Sequence, residues 1–193
     1  MREDRRELAA AMLAAAREHD AGQSDRLARL RNVERETAEL LGVLVRTRAG
    51  ARVLEIGTSN GYSTLWLADA AEAVGGHVVS VEIEADRSAT AAEHLRAAGL
   101  TAELRVEDAA ETLRAAPPAA YDVVFLDAER PAYAGYLPEL RRVLAPQGLL
   151  IVDNVLSHAG EVAEFRALVE ADVAFTAAEV PIGAGVLLAV RDA

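Results

Sequence analysis

Cysteine is absent from this chain, which excludes disulfide bonds and thiolate metal sites. Aromatic residues contribute only 4% of the 193 residues, so alanine, leucine and valine must fill any core. No apolar run approaches the roughly 18 residues that a membrane-spanning helix needs. Residues 1–6 mix acids with bases and lack the apolar stretch of a signal peptide. We therefore expect a cytoplasmic protein, folded as a single domain over residues 1–193.

Basic residues are also scarce relative to acidic ones. The chain has 20 Lys and Arg residues against 31 Asp and Glu residues, a formal net charge of -11. Proteins that bind nucleic acids use basic patches to replace the counterions of the phosphate backbone. The charge balance argues against nucleic acid as a partner, and otherwise it indicates little beyond solubility.

The chain divides into a helical cap, residues 1–48, and a core, residues 49–193. In the cap, the spacing of apolar residues predicts one helix before a break at residues 22–25, and a second from Leu27 to Val45. In the core, short apolar runs alternate with amphipathic segments. The predicted strands are 53–56, 78–83, 102–106, 123–126, 149–152, 173–180 and 186–190. The predicted helices are 63–73, 85–98, 108–115, 133–144 and 160–171.

The alternation of strands and helices predicts an α/β fold. Strands that are apolar on both faces are typical of a parallel sheet covered by helices on both sides. The last two strands are joined only by residues 181–185, which are too few for a crossover helix, so these strands should pair antiparallel. The prediction is a Rossmann-like, doubly wound, seven-stranded sheet, mostly parallel, with a C-terminal antiparallel hairpin.

The segment 53–63 reads as a buried strand, a Gly-x-x-x-Gly turn and the start of a helix near Ser63. Gly57 and Gly61 would let the backbone approach a ligand, and the helix terminus presents free N–H groups. The dinucleotide fingerprint Gly-x-Gly-x-x-Gly is absent. Glu55, which we place inside the turn, would repel a pyrophosphate but suits a ligand with positive charge. A nicotinamide dehydrogenase is therefore disfavoured.

This segment resembles motif I of the class I S-adenosylmethionine (SAM)-dependent methyltransferases. The resemblance implies SAM as the cofactor. Glu82, at the end of the second strand, is placed to accept hydrogen bonds from ribose hydroxyls. Methyltransferases of this kind usually hold the adenine at the position of Asp108 and Ala109, although this chain has Glu107 where the family tends to have glycine. The predicted cofactor-binding residues are Glu55, Gly57, Ser59, Gly61, Tyr62, Ser63, Glu82, Asp108, Ala109 and Asp127.

A second polar cluster follows two later strands. Asp127 comes directly after one strand, and Asp153 and Asn154 come after the next. The carboxyl ends of neighbouring parallel strands meet at one edge, so these side chains could converge. Two carboxylates and one amide oxygen form a ligand set suited to Mg²⁺. The alternative is that the two acids simply cap the helices that follow.

A narrower resemblance is carried by the segments 121–128, 133–136, 148–156 and 180–185. These are similar to the cation-dependent catechol and caffeoyl-CoA O-methyltransferase family over roughly residues 35–192. The resemblance implies that Asp127, Asp153 and Asn154 hold a divalent cation, and Mg²⁺ is the cation that we expect. It implies that the cation binds both oxygens of a catechol-like, hydroxylated aromatic substrate, whose ionised hydroxyl attacks the methyl group of SAM.

Arg130 departs from the sequence pattern of that family, which usually has a lysine at this position as the general base. Arginine is always protonated and cannot accept the proton. Three explanations stay open. A metal-activated hydroxyl could lose its proton to water while Arg130 stabilises the oxyanion, His158 could be the base, or the chain could bind SAM without effective catalysis. Arg130 and His158 are the catalytic candidates.

Two alternatives to the cation-assisted enzyme remain at this point. One is a metal-independent small-molecule methyltransferase on the same scaffold, and the other is a non-catalytic SAM-binding protein. The N-terminal helices carry no chemistry of their own. In the resembling family such helices cover the substrate site or contribute to a dimer interface, so a homodimer is a further expectation.

Overall fold

The computed structural model describes residues 1–193, and its central feature is one seven-stranded sheet. Two helices, α1 (Glu3–Ala21) and α2 (Arg35–Arg46), precede the sheet. The strands are β1 (Arg52–Ile56), β2 (His77–Glu82), β3 (Glu103–Val106), β4 (Tyr121–Leu126), β5 (Leu144–Val152), β6 (Phe175–Val180) and β7 (Val186–Arg191). The later helices are α3 (Tyr62–Ala73), α4 (Ala85–Ala97), α5 (Ala109–Ala115), α6 (Tyr133–Val143) and α7 (Ala163–Ala171), with a 3₁₀ turn at Arg130–Ala132 before α6.

The strand order is β3-β2-β1-β4-β5-β7-β6. Strands β1 to β5 run parallel to one another, whereas β7 pairs antiparallel with both β5 and β6. The predicted fold class is confirmed. Because the chain winds in opposite directions from β1 and from β4, a crevice forms at the carboxyl ends of these two strands, where α/β proteins bind their ligands.

Each face of the sheet is covered by a hydrophobic layer. Along β4, Val123 and Phe125 point into the layer built with α1 to α4, and Val124 and Leu126 point into the layer of α5 to α7. All four side chains are fully buried. Burial on both sides explains why the central strands read as unbroken apolar runs.

The prediction of a helix beginning at Leu27 is wrong, since α2 begins only at Arg35. Residues 22–34, called the strap below, contain no helix. The carboxylate of Asp20 accepts the backbone N–H groups of Leu30 (2.7 Å) and Arg31 (2.9 Å), in place of helical hydrogen bonds. Leu27 is 60% exposed, so its apolar spacing with Leu30 does not mark a buried helix face.

A helix that crosses a membrane must be both long and continuously apolar. None of the helices combines the length and the apolar character that crossing a bilayer requires.

Candidate active site

A cleft of about 1170 Å³ opens at the carboxyl edge of the sheet. Its floor is formed by the residues that follow β1, β4 and β5, and by the end of β2, and the strap lies along its rim. The predicted site residues that line it are Gly57, Ser59, Ser63, Glu82, Asp108, Ala109, Asp127, Arg130, Asn154 and His158. A cleft of this size can hold a nucleoside-sized cofactor beside a small second molecule.

The turn after β1 needs glycine because of how closely it packs on its neighbours. Gly57 has φ +105, and a Cβ there would lie 2.0 Å from the carbonyl oxygen of Asp127. Gly61, at the start of α3, has φ +84, and its Cβ would lie 2.8 Å from that of Ala91 in α4. Gly61 does not line the cleft. The close approach of helix α4 explains the glycine at this position, and a contact of Gly61 with a ligand stays a prediction.

Glu55 lies within β1, not in the turn, and does not line the cleft. Its fully buried carboxylate accepts hydrogen bonds from the hydroxyls of Ser63 (2.5 Å), Ser80 (2.5 Å) and Thr64. Burial raises the pKa of Glu55 to about 7, although these hydroxyls lower it. The predicted direct contact with a charged ligand is corrected. Glu55 ties the first turn of α3 to β1 and β2.

Tyr62 is the third predicted cofactor residue that the structure places elsewhere. It is 2% exposed and belongs to the hydrophobic layer between the sheet and helices α1 to α4. As the first residue of α3, it points to the interior because the turn at Gly61 directs the helix across the sheet face. Tyr62 is a core residue.

The raised pKa of Glu55 makes the stability of the fold depend on pH. An unfolded glutamate has a pKa near 4.5, so between this value and about 7 the folded state binds more protons than the unfolded state. The free energy of unfolding should therefore fall as the pH rises through this window. The pKa values of Asp127 and Asp153 are raised as well, so both acids add to this fall. In Glu55→Gln the fall should be shallower. Melting temperatures of both proteins, followed by circular dichroism from about pH 5 to about pH 8, check this. Parallel curves would contradict it.

Glu82 ends β2 with its carboxylate held against the cleft wall. Its Oε2 accepts the N–H of Ser59 (2.8 Å), and its Oε1 accepts those of Ile83 (2.9 Å) and Glu84 (3.0 Å). A carboxylate has about four acceptor positions, so it can still accept a hydroxyl from the cleft. The structure thus fixes Glu82 at the cleft, and its contact with a ribose stays a prediction.

Asp108 and Ala109 line the cleft beside Glu82, because β3 pairs with β2 and the N–H of Glu107 donates to the Glu82 carbonyl oxygen at 3.1 Å. Asp108 caps helix α5, because its side chain accepts the N–H of Ala110 at 2.7 Å. Its neighbour Glu107 accepts the hydroxyl of Thr112 at 2.5 Å. Both acids therefore already have structural partners, and the adenine-binding role of this loop stays a prediction.

Asp127, Asp153 and Asn154 come together at the ends of β4 and β5. The amide Nδ2 of Asn154 lies 3.1 Å from Oδ1 of Asp127 and 3.0 Å from Oδ2 of Asp153. Asn154 has φ +67, which turns its side chain back toward both acids. Asp153 is 2% exposed, and its Oδ1 is buried without a hydrogen-bond partner. Burial raises the pKa of each acid, and the Asp127 charge raises the pKa of Asp153 further.

This acid pair fits a hard divalent cation. No group of three His, Cys, Asp or Glu side chains is placed to hold a metal. The side-chain ligands on offer here are the two carboxylates and the Asn154 amide. With that amide turned so that its oxygen faces the acids, the set consists of oxygen atoms alone, as Mg²⁺ prefers. A cation would pair the orphaned oxygen of the buried Asp153 and neutralise two neighbouring carboxylates, which are costly to keep charged side by side away from water.

Arg130 and His158 both line the cleft near this pair. Arg130 is 4% exposed, and its Nε donates to Glu161 at 2.8 Å. All twenty basic residues of the chain are arginine, so no lysine is available as a base. Burial, and then the charge of Arg130, lower the pKa of His158. Its imidazole is therefore neutral at pH 7 and able to accept a proton, with Nδ1 2.9 Å from the Ser157 hydroxyl.

The strap contributes side chains to the cleft that were not predicted from the sequence. Arg26 and Arg31 line the cleft and form ion pairs with Glu129, both at 2.7 Å. The available signal was the break at residues 22–25 followed by closely spaced arginines, which is unusual for a helix face packed on a core. Nothing in the sequence pointed to Glu129 as their partner.

Seven strands ending in an antiparallel hairpin, a glycine turn after β1, and acids after β2 and β4 around one cleft define a class I methyltransferase scaffold. A family model described as O-methyltransferase matches residues 8–191. The chain belongs to the O-methyltransferase family, which confirms the family and the enzyme class predicted from the sequence.

Named relatives agree with this family. A catechol O-methyltransferase from Mycobacterium tuberculosis is 33% identical over 156 residues, which cover 80% of this chain and 69% of that protein. A second, from Niastella koreensis, is 28% identical over 65% of this chain, but the match spans only 58% of that protein. The structure of the O-methyltransferase TomG from Streptomyces achromogenes, involved in tomaymycin synthesis and solved in complex with SAM, has a TM-score of 0.77. It is 27% identical, and the match covers 100% of this chain and 91% of that one.

Proposed function

We propose that this O-methyltransferase transfers the methyl group of SAM to a hydroxyl of a small catechol-like substrate, with the help of a divalent cation. The observation that carries the proposal is the pair Asp127 and Asp153, joined by Asn154 at the carboxyl ends of β4 and β5. Asp153 is buried, whereas Asp127 and Asn154 line the same cleft as Glu82. The names of the catechol O-methyltransferase relatives and the SAM complex of TomG support it.

The cofactor would lie across the carboxyl ends of β1 and β2. Gly57 and Ser59 offer their backbone at the cleft surface, and Glu82 offers a carboxylate oxygen to the ribose hydroxyls. Asp108 and Ala109 would border the adenine. The methionine end of the cofactor would then lie toward Asp127, where negative charge suits a sulfonium group.

Asp127, Asp153 and Asn154 are the residues that would hold the cation. Bound there, it would supply Lewis-acid stabilisation of the substrate oxyanion and orient the reacting hydroxyl. The protein itself would contribute to catalysis mainly by alignment, since the cleft would hold the substrate oxygen, the methyl carbon and the sulfur in line. Such positioning accounts for much of the barrier reduction in transfer reactions.

Proton removal falls to His158 or to water, since Arg130 cannot accept a proton. A hydroxyl proton leaves, the oxygen–carbon bond forms and the carbon–sulfur bond breaks, so that a methyl ether and S-adenosylhomocysteine result. Arg130 is held by Glu161 at the cleft and supplies a fixed positive charge beside the developing oxyanion. His158 is neutral near pH 7 and is the side chain in the cleft best suited to accept the proton.

The test is a methyl-transfer assay on a panel of catechols and monophenols, with and without EDTA. We expect turnover of catechols only, a fall of roughly tenfold or more with EDTA, and recovery when Mg²⁺ is added back. Turnover that is insensitive to EDTA would favour the metal-independent alternative. SAM binding by calorimetry without turnover of any compound would favour the non-catalytic one.

A further inference from the structure

A chain of alternating charges joins the strap to the two loops that carry the acid pair. Arg31 pairs with Glu129 at 2.7 Å, and Glu129 pairs with Arg26 at 2.7 Å. Arg26 reaches Glu161 at 3.7 Å, and Glu161 pairs with Arg130 at 2.8 Å. Glu129 and Arg130 follow β4, whereas Glu161 follows β5 and precedes α7. The ion pairs therefore bridge the mouth of the cleft.

The strap has little other than polar contacts to hold its first half in place. Residues 24–29 are all exposed, and the first buried strap residue is Val33. On the cofactor side, the guanidinium of Arg87 donates to the carbonyl groups of Leu27 and Arg29. The hydroxyl of Ser59 donates to the Leu30 carbonyl at 3.0 Å. Polar bonds thus fasten the strap on both sides of the cleft.

Glu129 is the hub of this chain, because its two carboxylate oxygens serve different arginines of the strap. Oε2 accepts from Arg26 and Oε1 accepts from Arg31. The glutamate is 44% exposed, so its ion pairs are open to water and to screening by salt. Removing this one carboxylate would take the shorter ion pair from Arg26, which keeps only Glu161 at 3.7 Å, and would remove the ion pair of Arg31.

We propose that the strap is a closure over the active site, latched by the ion pairs of Glu129 and Glu161. Small molecules enter and leave the cleft when this latch opens; that these are a catechol and its methyl ether rests on the proposed function. Arg130, at the position where the resembling family has lysine, anchors the far end of the latch through Glu161. Ion pairs at the surface are individually weak, so the strap can open repeatedly, which a large apolar contact would prevent.

Trypsin tests the latch directly, since it cleaves after arginine and the strap contains Arg26, Arg29 and Arg31. Under native conditions, cleavage of a closed segment follows the population of its open form. Glu129→Gln keeps all three cleavage sites. Because surface ion pairs are weak, we expect it to raise the cleavage rate in the strap by roughly threefold to tenfold, read by mass spectrometry of the fragments.

Glu139→Gln is the matched control. Glu139 pairs with Arg142 at 2.6 Å within α6, away from the cleft, and is similarly exposed. This variant should be cleaved in the strap at the wild-type rate. Equal rates for the two glutamine variants would overturn the latch, provided that their melting curves show both to be folded.

A salt series on the unmodified protein gives a second, independent reading. Raising KCl from about 0.1 M to about 1 M shortens the Debye length from roughly 10 Å to 3 Å. Strap cleavage should then accelerate more in the wild type than in Glu129→Gln, which has already lost two of the ion pairs, and an unchanged ratio would contradict the proposal. Calorimetry with S-adenosylhomocysteine tests the proposed function separately. A failure to bind would overturn that function while leaving the cleavage result intact.

Discussion

Replacing Asp153 by asparagine should lower kcat/KM for a catechol by roughly a hundredfold or more and remove most of the stimulation by Mg²⁺. The change takes away one of the two carboxylates in the proposed ligand set but keeps the volume of the side chain. Asp153 does not line the cleft itself, so binding of S-adenosylhomocysteine should persist. Turnover assays across a Mg²⁺ series measure the loss of activity and of stimulation. Calorimetric titration with S-adenosylhomocysteine measures whether binding persists.

Asp122→Asn is the control for this variant. Asp122 lies at the amino end of β4, at the opposite edge of the sheet from Asp127, and pairs with Arg52 at 2.8 Å. The substitution removes a partly buried carboxylate that does not line the cleft, so the dependence of turnover on Mg²⁺ should stay that of the wild type. If Asp153→Asn also keeps this dependence, the acid pair does not hold the cation.

The fold was largely predictable because its central strands are buried on both sides. Short apolar runs, alternating with amphipathic segments, identified all seven strands of the sheet, although the edge strands β3 and β6 also carry charged residues. The antiparallel hairpin followed from the short connection at residues 181–185. The start of α2 was not predictable in the same way. Leu27, Leu30 and Val33 have helical spacing, but Asp20 binds the backbone of the strap and holds it outside a helix.

The active site was predictable where it depends on strand ends. Asp127 and Asn154 reach the cleft because parallel strands present their carboxyl ends at one edge. Glu55 was wrongly predicted to lie in the turn. Its side chain direction follows from β1, because successive side chains of a strand point to opposite faces of the sheet. Leu54 and Ile56 face the layer of α5 to α7, so Glu55 points to the other side, beneath α3.

The ion pairs of the strap lie beyond what a single sequence can reveal. Arg26 and Arg31 are separated from Glu129 by 103 and 98 positions along the chain. Charged side chains at the surface follow no hydrophobic periodicity, so no pattern connects them. Only the folded arrangement, with the strap lying over the loop after β4, identifies these residues as partners.

Gly57→Ala should be the most destabilising single change in the site, lowering the free energy of unfolding by more than about 4 kcal/mol or preventing folding. A Cβ at this position would lie 2.0 Å from the carbonyl oxygen of Asp127, and backbone has little freedom to retreat in the middle of a sheet. The same movement would displace Asp127 from Asn154. Urea denaturation of the variant, with binding of S-adenosylhomocysteine to any folded fraction, measures the loss.

Gly50→Ala separates the steric clash from backbone strain. Gly50 also has a positive φ, +67, but a Cβ there would meet no atom within 4 Å. This control should therefore lose only about 1 kcal/mol, the usual cost of alanine in a left-handed conformation. If the two alanine variants lose similar amounts, the requirement for glycine at position 57 is conformational, and the turn is not held by its contact with Asp127. A much larger loss for Gly57→Ala shows that the cofactor turn and the acid pair are packed as one unit, so that neither can shift without the other.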